Sequence, residues 1–380
     1  MTASMNGSMT TKVVPFNDER EKRVEKDCQR YTRDALELYT KTRVFKAMKP
    51  LIIALSICGM HFCKEYGPVT ECAKKVEDRK SGKICMKRKK TQRKIHPSEI
   101  YCFLLFTILL ANFIRMLSMF TIGTLSFDSE LLFKLCVSTW HALLLFNMIS
   151  LLRASCRYES IPKFFIEYEN LLEITGWKCT ENERKFALIS TIIAVFMTGV
   201  CTCLFYIAVF KSPILVEPML APFQVSDANS IIIERTLLVL SPLLNSAWIM
   251  PVAVDFMFCY CLYRLFAAWG VDFNAKVASC QMNNEEFRKQ REIHQRICHL
   301  VSDADDFLSL YKAMNFLCNI GIILFILFSL IYAPEDVGDR ATYVGVNMCW
   351  MTFTIFILLM TCISGAMVNH VVRTESTQIK

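Results

Sequence analysis

Aromatic and amide side chains recur inside otherwise apolar runs of this sequence, and they have the makings of a binding pocket. They come in four pairs: Trp140 and His141, Phe205 and Tyr206, Asn245 and Trp248, and Asn347 and Trp350. Small-molecule sites are built from apolar and aromatic walls with a few convergent polar groups, which is the character of this set. Each residue also has a plain packing role open to it. Trp and Tyr near helix ends form interfacial belts, and a lone His141 is more often a hydrogen-bonded core histidine. Two charges, Arg115 and Asp255, lie in the same apolar runs. A charge in hydrocarbon is costly and marks a structural pair, a water cavity or a ligand contact; a pair between these two is one reading. Catalytic signatures are missing from the sequence: it has no His-Glu-x-x-His, no glycine-rich phosphate loop and no Gly-x-Ser-x-Gly. Asp303, Asp305 and Asp306 lack the spacing of a calcium loop, and Cys72 and Cys85 lack that of a zinc site. Neither enzyme activity nor a metal or cofactor is therefore expected.

The runs that carry these residues are long. Ile100–Thr124, Leu131–Leu152, Phe186–Phe210, Thr236–Phe266, Ala313–Ala333 and Tyr343–Val368 each supply the roughly 20 apolar residues that a bilayer core of about 30 Å requires. An all-α, polytopic membrane protein with six transmembrane helices follows. Pro242 and Pro251 are expected to break or kink the fourth. Of the 43 Lys and Arg residues, only Lys211, Arg235 and Arg340 fall in the connectors Leu125–Glu130, Lys211–Arg235 and Pro334–Ala341. Cytoplasmic loops carry the basic excess, so these three connectors face outward. None of the 18 cysteines lies in them, and the cysteines read as reduced, small hydrophobes.

The rest divides into a polar N-terminal tail (1–43), a short apolar segment (44–63), a basic cytoplasmic loop (64–99), the membrane domain (100–368) and a C-terminal tail (369–380). Segment 44–63 holds only thirteen uncharged residues between Pro50 and Lys64, about 20 Å of helix. It reads as interfacial, re-entrant or a short span; a span would give seven and put the N-terminus outside. Residues 64–94 hold twelve basic residues, suited to anionic lipid at the inner leaflet. Nucleic acid is not an expected partner of so apolar a chain, 53% hydrophobic with a net charge of +8. Ile161–Leu172 and Glu285–Leu310 have apolar residues at helical spacing and are expected to form helices below the membrane.

The run Val44-Phe45-Lys46-Ala47-Met48-Lys49-Pro50-Leu51, with Gly59 after it, resembles the entry of invertebrate gustatory and odorant receptors. His294-Gln295-Arg296-Ile297-Cys298-His299-Leu300, followed by Tyr311 and a span ending near Tyr332, is similar to that family's inner helix and fifth span. The nematode gustatory-receptor-like branch is the nearest likeness. The resemblance implies a chemosensory receptor in the plasma membrane, binding a small stimulus in the outer half of the bundle. It further implies assembly with itself or related subunits into a cation channel whose seventh span lines the pore. Here only Asn369–Lys380 follows the sixth span, so the last span is expected to be absent. Two other classes stay open: a seven-span G-protein-coupled chemoreceptor with its N-terminus outside, and a transporter. The first lacks an Asp-Arg-Tyr, an Asn-Pro-x-x-Tyr and an outer cysteine pair; the second lacks internal repeats.

Overall fold

The computed structural model describes residues 40–61, 97–120, 129–156, 160–178, 180–211, 219–220, 228–331 and 340–378. The basic stretch 64–94 and most of the N-terminal tail lie outside the described residues. Nine α-helices and no strand occur among the described residues: α1 (Arg43–Ala47), α2 (Lys49–Ile57), α3 (Pro97–Leu117), α4 (Ser129–Cys156), α5 (Ile161–Thr175), α6 (Thr180–Lys211), α7 (Ala228–Ala278), α8 (Asn284–Ile331) and α9 (Arg340–Gln378). Six of them, α3, α4, α6, α7, α8 and α9, are long and apolar enough to cross a membrane.

Helix α7 is the hub. It packs against α4, α6, α8 and α9. In its most apolar stretch 78% of residues are buried, against 22% in α3 and in α9. The peripheral helices therefore turn large apolar side chains outward, among them Phe103 and Ile114 of α3 and Ile192 and Phe196 of α6, to be met by lipid.

The hub contains both prolines, yet α7 is one continuous helix from Ala228 to Ala278; the expected break is absent. A proline lacks the N–H that would bond to the carbonyl four residues earlier, so Pro242 frees the oxygen of Leu238 and Pro251 that of Ala247. Neighbouring side chains take both. Tyr206 of α6 donates its hydroxyl to Leu238 O at 3.0 Å, and Ser241 donates to the same oxygen at 2.8 Å. Asn147 of α4 donates from Nδ2 to Ala247 O at 3.2 Å. In hydrocarbon every backbone group must find a partner inside the protein, and here the repair also ties α4 and α6 to the hub.

At 51 and 48 residues, α7 and α8 run about 76 Å and 72 Å, more than twice the bilayer core. The inner helix expected at Glu285–Leu310 and the span at Ala313–Ala333 are thus one unbroken element. Beyond the membrane the two form an antiparallel pair turned at Ser279–Asn283, where Cys280 has a left-handed φ of 54°. Lys276 joins Asp272 (2.9 Å) and Glu286 (2.6 Å) beside the turn. Trp269 Nε1 donates to Gln290 O at 3.2 Å. Ile293, Ile297, Leu300 and Leu308 are buried, whereas Leu310 at the end of the stretch is 59% exposed.

Helix α5 docks where this pair enters the bundle. Its buried face of Phe164, Phe165 and Tyr168 meets Phe258 of α7, whose ring is 4.7 Å from Phe164 and 5.2 Å from Phe307 of α8. Lys163 pairs with Asp303 of α8 at 2.6 Å. Gly176, at φ 71°, takes the left-handed conformation that ends α5, its N–H on Leu172 O.

Helices α1 and α2 fix the side of the N-terminal segment. Thr42 caps α1 by accepting from Phe45 N, and Arg43 Nε donates to Glu169 of α5 at 2.5 Å. That hydrogen bond is the largest influence raising the Arg43 guanidinium above its ordinary pKa. Nine residues of α2 rise about 14 Å, too short to span. They pack along α6. The chain then turns at Gly59 (φ 70°), where a Cβ would meet Leu105 Cδ1 at 2.5 Å. Tyr101 of α3 donates to Ile57 O at 2.6 Å. The segment enters on the side of α5, and its last described residue, His61, lies with its carbonyl 3.9 Å from Cys102 Sγ near the start of α3. A tag ahead of Met1 should accordingly be hidden from antibody on intact cells, and one inserted between Pro218 and Ser230 accessible. Staining of the N-terminal tag without permeabilisation would reverse this topology.

Candidate functional site

Toward the outer ends of the spans, five helices surround a cavity walled mainly by apolar and aromatic side chains, the character of a small-molecule site. Helix α4 presents Phe133, Cys136, Val137 and Trp140 at successive turns of one face, and α6 adds Phe205. From α7 come Asn245 and Trp248, from α8 Ile322 and Ile326, and from α9 Trp350 and Thr354, with Met219 closing the wall. Trp140 meets Trp248 edge to face, ring centroids 6.1 Å apart. Among the described residues, no charged side chain lines the space.

Five of the eight pocket residues expected from sequence are brought together here: Trp140, Phe205, Asn245, Trp248 and Trp350. The other three are placed elsewhere. His141 is buried with its Nδ1 2.9 Å from Val137 O, within the hydrogen bonding of its own helix. Tyr206 holds the carbonyl freed by Pro242. Asn347 is buried and donates to Tyr343 O at 3.0 Å, beside the contact between Tyr343 and Ser329 hydroxyls at 2.5 Å. Four of the missed lining residues were readable as positions. Phe133, Cys136 and Val137 lie seven, four and three residues before Trp140, and Thr354 four after Trp350. Ile322 and Ile326 carry no chemical signal that sets them apart from other apolar residues.

A chain of buried polar groups descends from the cavity through the seam of α7, α8 and α9. Trp248 Nε1 donates to Asn319 Oδ1 at 3.4 Å, Asn319 Nδ2 to Asn315 Oδ1 at 2.9 Å, and Asn315 Nδ2 to Thr361 Oγ1 at 2.9 Å. One turn along α9, Ser364 donates to Asp255 Oδ2 at 2.6 Å. Asp255 Oδ1 pairs with Lys312 Nζ at 3.2 Å, and Lys312 also reaches Cys259 Sγ at 3.4 Å. The spacings are those of single helix faces: Trp248, Asp255 and Cys259 on α7; Lys312, Asn315 and Asn319 on α8; Thr361 and Ser364 on α9.

The expected partnership of Arg115 with Asp255 is therefore corrected. Arg115 lies at the outer part of α3, where its Nη2 donates to Asn112 Oδ1 at 2.9 Å and to Met219 O at 2.6 Å. Asp255 lies toward the inner end, and its counter-charge is Lys312. Lys312 stands immediately before the run Ala313–Ala333 and so counted as connector. With its helix unbroken, it faces the seam.

No protein-family model matches the chain, and no curated protein matches it. The fold itself defines the class: this is a multi-pass α-helical membrane protein.

Proposed function

We propose that the chain is a chemosensory receptor of the gustatory and odorant type, placed in the plasma membrane. A small stimulus occupies the outer cavity, and the protein acts as, or together with, an oligomeric cation channel. The observation that carries this reading is the continuity between cavity and inner end. Trp248 is at once a wall of the cavity and the first link of a polar chain ending at the Asp255–Lys312 pair. A molecule pressing on that indole acts directly on a hydrogen-bonded seam between three spans. Such a seam has discrete arrangements, since breaking one link leaves buried partners unsatisfied, and discreteness is what a switch needs. The shortness of α2, nine residues, supports the six-span arrangement over the seven-span coupled-receptor alternative.

Truncating the indole removes both cavity wall and link. Trp248→Ala should lower the stimulus response per surface molecule by about tenfold or more, as loss of a buried Trp anchor does at other binding sites. Trp350→Ala, which removes a wall but no link, should mainly shift the stimulus concentration required. Surface labelling alongside calcium imaging separates response from expression. Equal responses per surface molecule in wild type and both variants would make these residues packing groups only.

A further inference from the structure

The orientation of one amide in the cavity wall, that of Asn245, bears on the chemistry of what the cavity takes. Thr202 of α6 donates its hydroxyl to Thr198 O at 2.8 Å. Its oxygen is then an acceptor, and Asn245 Nδ2 donates to it at 3.2 Å. That fixes which way the Asn245 amide points, an assignment the hydrogen-bond network has to make. The carbonyl oxygen, Oδ1, is left as the acceptor on the cavity wall, with no donor to it among the described residues. Of the other polar lining groups, Trp248 Nε1 is committed to Asn319 and Thr354 Oγ1 to Trp350 O at 2.8 Å, while Trp140 Nε1 is a buried donor that a ligand hydroxyl oxygen can also meet. We propose that the cavity binds a small, uncharged aromatic molecule bearing one hydrogen-bond donor, a phenol in the simplest case, its ring among Trp140, Trp248 and Phe205 and its O–H on Asn245 Oδ1. This assignment rests on the cavity being the ligand site.

The alternatives fit less well. A carboxylate or ammonium ligand would enter a space with no charged lining residue among those described, at high desolvation cost. A sugar would bring several hydroxyls to a wall that offers them Asn245 Oδ1 and Trp140 Nε1. A hydrocarbon, or an ether of the same shape, would fill the walls but leave Oδ1 buried and unpaired, the costly case for a polar group.

The test uses the full chain in lipid nanodiscs with 4-methylphenol, its methyl ether 4-methylanisole, and glucose. Three of the chain's five tryptophans line the cavity, so saturable change in intrinsic fluorescence, corrected against empty nanodiscs, reads occupancy. The phenol should bind about tenfold more tightly than the ether, the worth of one net hydrogen bond, and glucose should give no saturable signal. In Asn245→Leu the ratio should fall to about one. Equal affinity of phenol and ether in the wild type overturns the assignment while leaving the cavity a ligand site, as does a ratio that survives Asn245→Leu. Saturable glucose binding also overturns it. Absence of saturable binding by either aromatic overturns both the assignment and the reading of the cavity. Should Asn245→Leu fail to fold, the wild-type ratio decides alone.

Discussion

Lys312→Met is expected to destabilise the protein by about 3–5 kcal/mol, the usual cost of removing one partner from a buried ion pair. Asp255 is 1% exposed at its side chain and Lys312 26%, so the carboxylate loses its counter-ion where water cannot replace it. Ser364 and Cys259 remain as neutral donors. The double variant Asp255→Leu with Lys312→Met should recover most of the loss, because both desolvation penalties vanish together. Thermal unfolding of the purified protein in a single detergent, for the wild type, both single variants and the double variant, gives the coupling energy. A Lys312→Met protein as stable as the wild type would show that the pair contributes no stability.

The second large effect is expected at the inner junction. Phe258→Ala deletes the ring shared by Phe164, Phe165 and Phe307 at a residue 1% exposed. The lost transfer free energy and the resulting void together cost about 3–5 kcal/mol. Phe258→Leu, which keeps much of the volume, should cost about 1.5 kcal/mol or less. Loosening α5 from α7 and α8 should also open the Lys163–Phe164 bond to trypsin, since Lys163 is tethered only as long as α5 stays docked against Asp303. Unchanged digestion and an unchanged unfolding midpoint in Phe258→Ala would mean that α5 is held by its other contacts.

Much of this architecture was legible in the sequence because the bilayer imposes a length and a polarity on whatever crosses it. The six apolar runs, the inner helix at Ile161–Leu172 and the shortness of the segment after Pro50 all follow from that constraint. What escaped was set by neighbours. Two prolines in one run signal a break only if nothing repairs the backbone. The repair comes from Tyr206 and Asn147, which are 36 and 104 residues away from Pro242 and Pro251 in sequence. Lys312 passed as a connector residue because hydropathy cannot register that its helix continues unbroken and which way its face turns. Within the pocket, the aromatic residues were recognisable by type. Whether Tyr206 lined the space or propped a carbonyl depended on rotation about the helix axis, which a pair of adjacent aromatics leaves undetermined.

The unbroken course of α7 makes the inner helical pair a lever with its fulcrum at the Asp255 layer. From Asp255 to Ala278 the helix runs about 34 Å. A tilt of about 5° at the fulcrum therefore carries the tip roughly 3 Å, a displacement comparable to a hydrogen-bond length. A hinge at the membrane surface would have absorbed that rotation locally. Without one, any such tilt is carried undiminished to the turn at Ser279–Asn283.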